Sequence, residues 1–172
     1  MAVDVLHTGH LNIIDKARSL GEVIVGLLTD SAILSYKKLP FLEYNDRKRI
    51  IENIKGVHSI VKQDTYDYEP ILRELKPDYL VHGDDWKVGI QSSMRKKVIE
   101  LLNEWGGELV EPKYTKGISS TSIIEHITQN GITPYVRMKL LRRMLSAKPL
   151  IRILEAHNGL TGLIVEKTSI NK

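Results

Sequence analysis

Between residues 11 and 110 the chain alternates short β-branched apolar runs with longer stretches of helical periodicity. That rhythm narrows the fold more than any other feature. Residues 22–28 read as a buried strand, and before them Leu11, Ile13, Ile14, Ala17 and Leu20 recur at helical spacing and stop at Gly21. The pattern predicts a helix over 46–54, a strand over 59–61, and a helix over 68–75 that Lys76-Pro77 breaks. A strand over 79–82 then runs into Gly83, a helix over 95–105 ends at Gly106-Gly107, and Glu108-Leu109-Val110 is a last short strand. Strand and helix alternating at these lengths specify an α/β fold, a parallel sheet with helices on both faces. In such sheets ligands bind at the carboxyl ends of the strands, near the point where strand order reverses. His7 to His10, Asp30, His82 to Trp86 and Gly117 to Thr121 all fall at such exits.

Composition closes off several classes. With no cysteine, disulfides, thiolate metal sites and cysteine nucleophiles are excluded. At 42% hydrophobic residues the 172-residue chain can bury a sizeable core. No apolar run reaches the roughly 18 residues a spanning helix needs, and Asp4, His7 and His10 interrupt the stretch a signal peptide would occupy. The net charge of +4 belongs to the tail. From Arg137 onward eight Lys and Arg face only Glu155 and Glu166, which leaves the body slightly acidic. A polyanion-binding face is therefore not expected, and neither a nucleic-acid nor a membrane partner is predicted. A cytoplasmic location fits.

His7-Thr8-Gly9-His10 stands directly before a helix, where free amides and the helix dipole suit a phosphate. Imidazoles there can donate to oxygens whose charge grows during phosphoryl or nucleotidyl transfer. The plainer reading is a capping turn with two surface histidines, or a partial metal site. Gly117-Ile118-Ser119-Ser120-Thr121 opens a helix predicted over 122–127 with several hydroxyls, either an ordinary cap or a second phosphate cradle.

The two motifs together, His7-x-Gly9-His10 and Thr115-x-Gly117-Ile118-Ser119-Ser120-Thr121, resemble the two signatures of the nucleotidylyltransferase superfamily, and its cytidylyltransferase branch matches best. Val81-His82-Gly83-Asp84-Asp85-Trp86 is similar to that branch's V-x-G-D-D-W stretch. Lys37-Lys38 followed by residues 43–48 is similar to its lysine and arginine region. The likeness spans roughly residues 1–130.

It implies a Rossmann-like fold and attack of a phosphate or phosphonate oxygen on the α-phosphorus of CTP, with release of pyrophosphate and with Mg²⁺ bridging the phosphates. Carried over by position, His7 and His10 stabilise the α-phosphorus and Lys37 or Lys38 neutralises phosphate charge. Asp4, Gly9, Asp85, Trp86, Gly117, Ile118, Ser119, Ser120 and Thr121 hold the nucleotide. Asp30, Arg47 and His82 lie toward the acceptor. Taken singly, the lysines also read as solvated, Arg47 as a helix-face partner of Glu43 and Trp86 as core. The chain departs from the pattern at its start, where only Met1 to Asp4 stand for the usual first strand. It departs again at Tyr114 before Thr115, and at Ser120 in place of threonine.

After Gly131 the character changes. Residues 135–145 read as a basic helix packing on the body, and residues 148–166 resemble the opening of phosphoenolpyruvate mutase at its first barrel strand. A barrel of that type takes some 250 residues. The expected organisation is a nucleotidyltransferase domain over 1–131, a linker helix over 132–148, and the start of a mutase-like TIM-type barrel over 149–172, with the chain cut short at both ends. Such a fusion points to phosphonate biosynthesis, with CTP and a small phosphonate or phosphate as substrates and a homodimer allowed. An adenylyltransferase of the same superfamily, or an inactive fusion fragment, stays open.

Overall fold

The computed structural model describes residues 1–87, 92–113, 123–124, 133–148, 151 and 154–167. Helix α1 (Thr8–Arg18) leads to strand β1 (Val23–Leu28), helices α2 (Asp30–Leu34) and α3 (Tyr44–Glu52) and strand β2 (Val57–Gln63). Helix α4 (Glu69–Leu75), strand β3 (Tyr79–Val81), a 3₁₀ turn (Asp84–Lys87), helix α5 (Ser92–Asn103) and strand β4 (Glu108–Val110) follow.

β1 and β2 pair in parallel, with Ile24 opposite Ser59 and Leu28 opposite Gln63. Alternate residues of β1 face opposite sides. Val23, Val25 and Leu27 pack with Val3 and with Ile51 of α3, while Leu28 packs with Ala32 and Ile33 of α2. Helices thus cover both faces, as the sequence requires. A second core of Leu72, Trp86, Val98, Leu101 and Leu102 packs on Leu80 and Leu109 of β3 and β4, which pair in parallel.

The structure departs from the sequence reading in its sheet. One continuous sheet is expected, and among the described residues the strands form two separate parallel pairs. Residues 1–3 lie along the free edge of β1. The Leu28 N–H donates to Met1 O at 3.0 Å, the Met1 ammonium donates to Gly26 O, and Val3 is buried at φ +48°. A β-branched residue at positive φ is strained, so the core contacts of Val3 hold it there.

The basic helix predicted over 135–145 is observed as α6 (Pro134–Ala147), N-capped by Thr133, whose hydroxyl accepts from the Val136 N–H at 3.4 Å. The barrel strand expected from residue 149 falls largely on residues 149–150 and 152–153, which lie outside the described residues. Residues 154–158 are irregular, and Gly159–Lys167 is a helix, α7. This helix starts at a reciprocal cap, in which Asn158 Oδ1 accepts from the Thr161 N–H and Thr161 Oγ1 accepts from the Asn158 N–H, both at 3.0 Å. That reciprocal cap nucleates the helix locally. Among the described residues, no helix is long and apolar enough to cross a membrane.

Candidate active site

The site begins with the cap of α1. His7 is the N-cap, and its Nδ1 accepts the Gly9 N–H at 3.1 Å; His10 Nδ1 accepts the His7 N–H at 3.4 Å. The two rings face each other with centroids 4.0 Å apart. Because each Nδ1 receives a backbone hydrogen, each ring carries its own proton on Nε2. Burial lowers the pKa of His7, and His10 is pushed down to about 4 by burial first, then by the charges of His7, the amino terminus and Lys37. The pair is thus two neutral donors at the positive end of a helix. The capping reading and the chemical reading describe the same bonds.

These shifts make a prediction about stability. Below the ordinary imidazole pKa near 6.5 the unfolded chain takes up a proton at residue 10 that the folded chain refuses until about pH 4. The unfolded state therefore binds more protons in that window, and stability falls as pH falls through it. We expect the urea stability of wild type to lose on the order of 2 kcal/mol more than that of His10→Gln between pH 6.5 and 4. Parallel curves for the two proteins would refute the buried, neutral His10.

Lys37 and Lys38 follow α2 and are both exposed. They differ in what they face. Lys37 Nζ lies 5.5 Å from the centre of the Tyr36 ring, and its charge is one of those acting on His10. Lys38 is not among those charges.

At the exit of β3, the His82 N–H donates to Val110 O at 3.1 Å, which fastens the turn to β4. The His82 ring stacks on Trp86 at 3.9 Å and its Nδ1 lies 3.9 Å from Asp85 Oδ1. Tyr68 packs against both rings, and Tyr36 stacks on Tyr66 at 4.4 Å. Burial, then Tyr66 and Asp85, push the Tyr36 hydroxyl up to about 12, against the opposing pull of Arg47. Tyr68 is raised by burial, Tyr36, Tyr66 and Asp85. Asp85 thus acts on both tyrosines, half exposed beside an aromatic wall. Gly83 links this wall to α1. A Cβ there would stand 3.7 Å from Ile13 Cδ1 and 3.0 Å from Asp85 Oδ1, so the turn lies directly against the histidine helix.

Four predicted residues are placed as framework. Trp86, expected at the nucleotide, is only 1% exposed, and its indole N–H donates to Glu111 Oε1 at 2.8 Å. Neither its face nor its donor is open to a ligand. Arg47, expected near the acceptor, is fully buried and donates to Leu42 O, Ala2 O, Leu28 O and Asp30 Oδ1. Its partner is Asp30 rather than Glu43. Asp30 is held between Arg47 and Arg143 at 2.7 Å each. Asp4 accepts the Leu42 N–H at 2.9 Å. Gly117, Ile118, Ser119, Ser120 and Thr121 lie outside the described residues.

Residues the sequence reading did not single out also stand here. Gln63, at the end of β2, is buried and its Nε2 has no hydrogen-bond partner. Its carbonyl accepts the Thr29 N–H, and the Thr29 hydroxyl caps α2. Tyr36, Tyr66 and Tyr68 form the wall described above. Only their position at strand and helix exits hinted at a role. Two shallow clefts, of about 250 Å³ between α5 and β4 and about 170 Å³ beside the end of β2, are lined by neither histidine.

The cytidylyltransferase-like family model matches residues 3–126, which carry both the histidine turn and the β3 exit. The chain belongs to the cytidylyltransferase-like family. It is 31% identical over 133 residues to the bifunctional protein HldE of Desulfatibacillum aliphaticivorans, covering 74% of this chain and 26% of that protein. It is 30% identical over 131 residues to the ethanolamine-phosphate cytidylyltransferase of Arabidopsis thaliana, covering 70% and 29%. The chain thus spans only about a quarter of the length of these relatives. The lipopolysaccharide core biosynthesis protein of Thermoplasma volcanium GSS1 superposes with a TM-score of 0.55 at 24% identity, over 69% of this chain and 93% of that one. That likeness concerns the fold alone, and it is consistent with a Rossmann-like nucleotidyltransferase domain.

Proposed function

We propose that the chain transfers CMP from MgCTP to a small phosphonate or phosphate that carries a cationic head, with 2-aminoethylphosphonate as the acceptor class that fits best. The observation that carries this reading is the pair of neutral imidazoles at the start of α1, each with its Nδ1 accepting a backbone N–H and so its proton on Nε2. An acceptor oxygen attacks the α-phosphorus, forming a P–O–P bond. The bond from the α-phosphorus to the bridging oxygen breaks, and pyrophosphate leaves with that electron pair. His7 and His10 donate to the oxygens on which charge grows, and Lys37 adds a positive charge on the same side. No covalent enzyme intermediate is needed, because positioning and electrostatics lower the barrier. Gly117 to Thr121 would cradle the β- and γ-phosphates.

Magnesium enters this reading as part of the substrate. The cation would be carried by the triphosphate oxygens.

Tyr36, Tyr66 and Tyr68 beside the Asp85 carboxylate support the choice of acceptor, since an ammonium gains from aromatic faces and from an opposite charge. Ethanolamine phosphate, named in one relative, differs from 2-aminoethylphosphonate only in its bridging ester oxygen. The likeness of residues 148–166 to phosphoenolpyruvate mutase supports the phosphonate over the phosphate, and with it a covalent fusion to a mutase domain in phosphonate biosynthesis. The test is pyrophosphate release from each nucleoside triphosphate with Mg²⁺ and 2-aminoethylphosphonate, 2-hydroxyethylphosphonate or ethanolamine phosphate. We expect release with CTP alone, and at least about tenfold higher kcat/KM for the amino acceptors, a factor worth some 1.4 kcal/mol. Release driven by ATP, or none with CTP, would overturn the reading.

A further inference from the structure

Lys37 rides on a segment that needs a fixed position, and the helix that fixes it comes from the far end of the chain. Residues 35–43 join α2 to α3 without helix or strand. The N–H groups of Tyr36 and Lys37 donate to Ile33 O at 3.2 and 2.8 Å, which fastens the start of the segment. Its other end is gripped by a guanidinium. Arg143 of α6 donates from Nη1 to Phe41 O at 2.9 Å, and from Nη2 to Leu42 O at 3.3 Å and to Asp30 Oδ2 at 2.7 Å. One turn earlier on α6, Lys139 pairs with Glu43 at 2.9 Å.

A planar fork is the group that can reach two successive carbonyls and a carboxylate together; an ammonium cannot. Arg143 is only 12% exposed in its side chain, whereas no residue of α6 is fully buried and Tyr135, Met138, Leu141 and Leu145 stand exposed. Among the described residues, the hydrogen bonds of Arg143 and the ion pair of Lys139 attach this helix to the body. Loss of Arg143 therefore frees a segment without opening a core.

We propose that Arg143 is a positioning residue for nucleotidyl transfer, clamping Phe41, Leu42 and Asp30 and so holding the segment that carries Lys37. The catalytic half of this statement rests on the cytidylyltransferase reading, and the clamp itself does not.

Two measurements on the full chain test it. Limited trypsin digestion, read by mass spectrometry, reports on the clamp. Arg143→Gln should raise cutting after Lys37 and Lys38 at least tenfold with the urea midpoint nearly unchanged, and Arg143→Lys should fall between. Kinetics report on the transfer. Arg143→Gln should lower kcat for pyrophosphate release at least tenfold while KM for CTP moves less than threefold, and in a Lys37→Ala background it should cost nothing further. Unchanged cutting, or independent losses from the two substitutions, would overturn the proposal. Raised cutting in a protein whose wild type releases no pyrophosphate would retain the clamp and remove the cytidylyltransferase reading instead.

Discussion

Replacing His10 by alanine should lower kcat for pyrophosphate release from MgCTP by about 10²–10³-fold, the usual cost of deleting one donor aimed at developing oxyanion charge. Stability should change little. The bond lost from the cap is the long one, 3.4 Å from the His7 N–H, while the bond from Gly9 to His7 stays. His10→Gln separates the two roles, because its amide N–H reaches toward the Nε2 position while the ring acceptor is gone. It should retain part of the activity that alanine loses. Equal activity of wild type and His10→Ala, at saturating CTP, would remove the histidine pair from the chemistry.

Arg47→Met should destabilise the domain by about 3–5 kcal/mol, the range for breaking a buried hydrogen-bonded charge pair. The side chain donates to the carbonyls of Ala2, Leu28 and Leu42 and to Asp30, and it is fully buried. Methionine fills much of the volume but leaves those oxygens without their donor. Arg47→Lys should cost nearly as much, since one ammonium cannot serve four acceptors in different directions. Such a loss is a large share of the total stability of an ordinary domain, so unfolding in urea should shift well below the wild-type midpoint. A midpoint within error of wild type would show that the network contributes nothing.

The features legible in the sequence were the local ones. The apolar period of residues 11–28 announces α1 and β1, and Gly21 marks the turn between them, because each depends on neighbours within a few residues. His7 and His10 were legible for the same reason, since a cap is written in consecutive positions. Arg47, Asp30 and Trp86 were not. A charged residue at a helix start and an indole after two aspartates look like binding groups until tertiary contacts show that Leu42, Arg143 and Glu111 already occupy them. Arg143 was beyond reach for a further reason, since its partner Phe41 lies 102 residues away and nothing in either neighbourhood announces the pairing. The two strand pairs illustrate the same limit. Strand existence follows from composition, but whether β1 and β3 share a ladder depends on what lies between them.

The proposed transfer depends on two neutral imidazoles whose Nε2–H groups donate to phosphate oxygens. ¹⁵N–¹H correlation spectra of the histidine rings, recorded at pH 6 and titrated with MgCTP, address that state directly. His10 should appear as the neutral Nε2–H tautomer before ligand is added, and both His7 and His10 should shift with MgCTP and not with MgATP. A protonated or Nδ1–H ring at residue 10, or no response of either ring to MgCTP, would contradict the account.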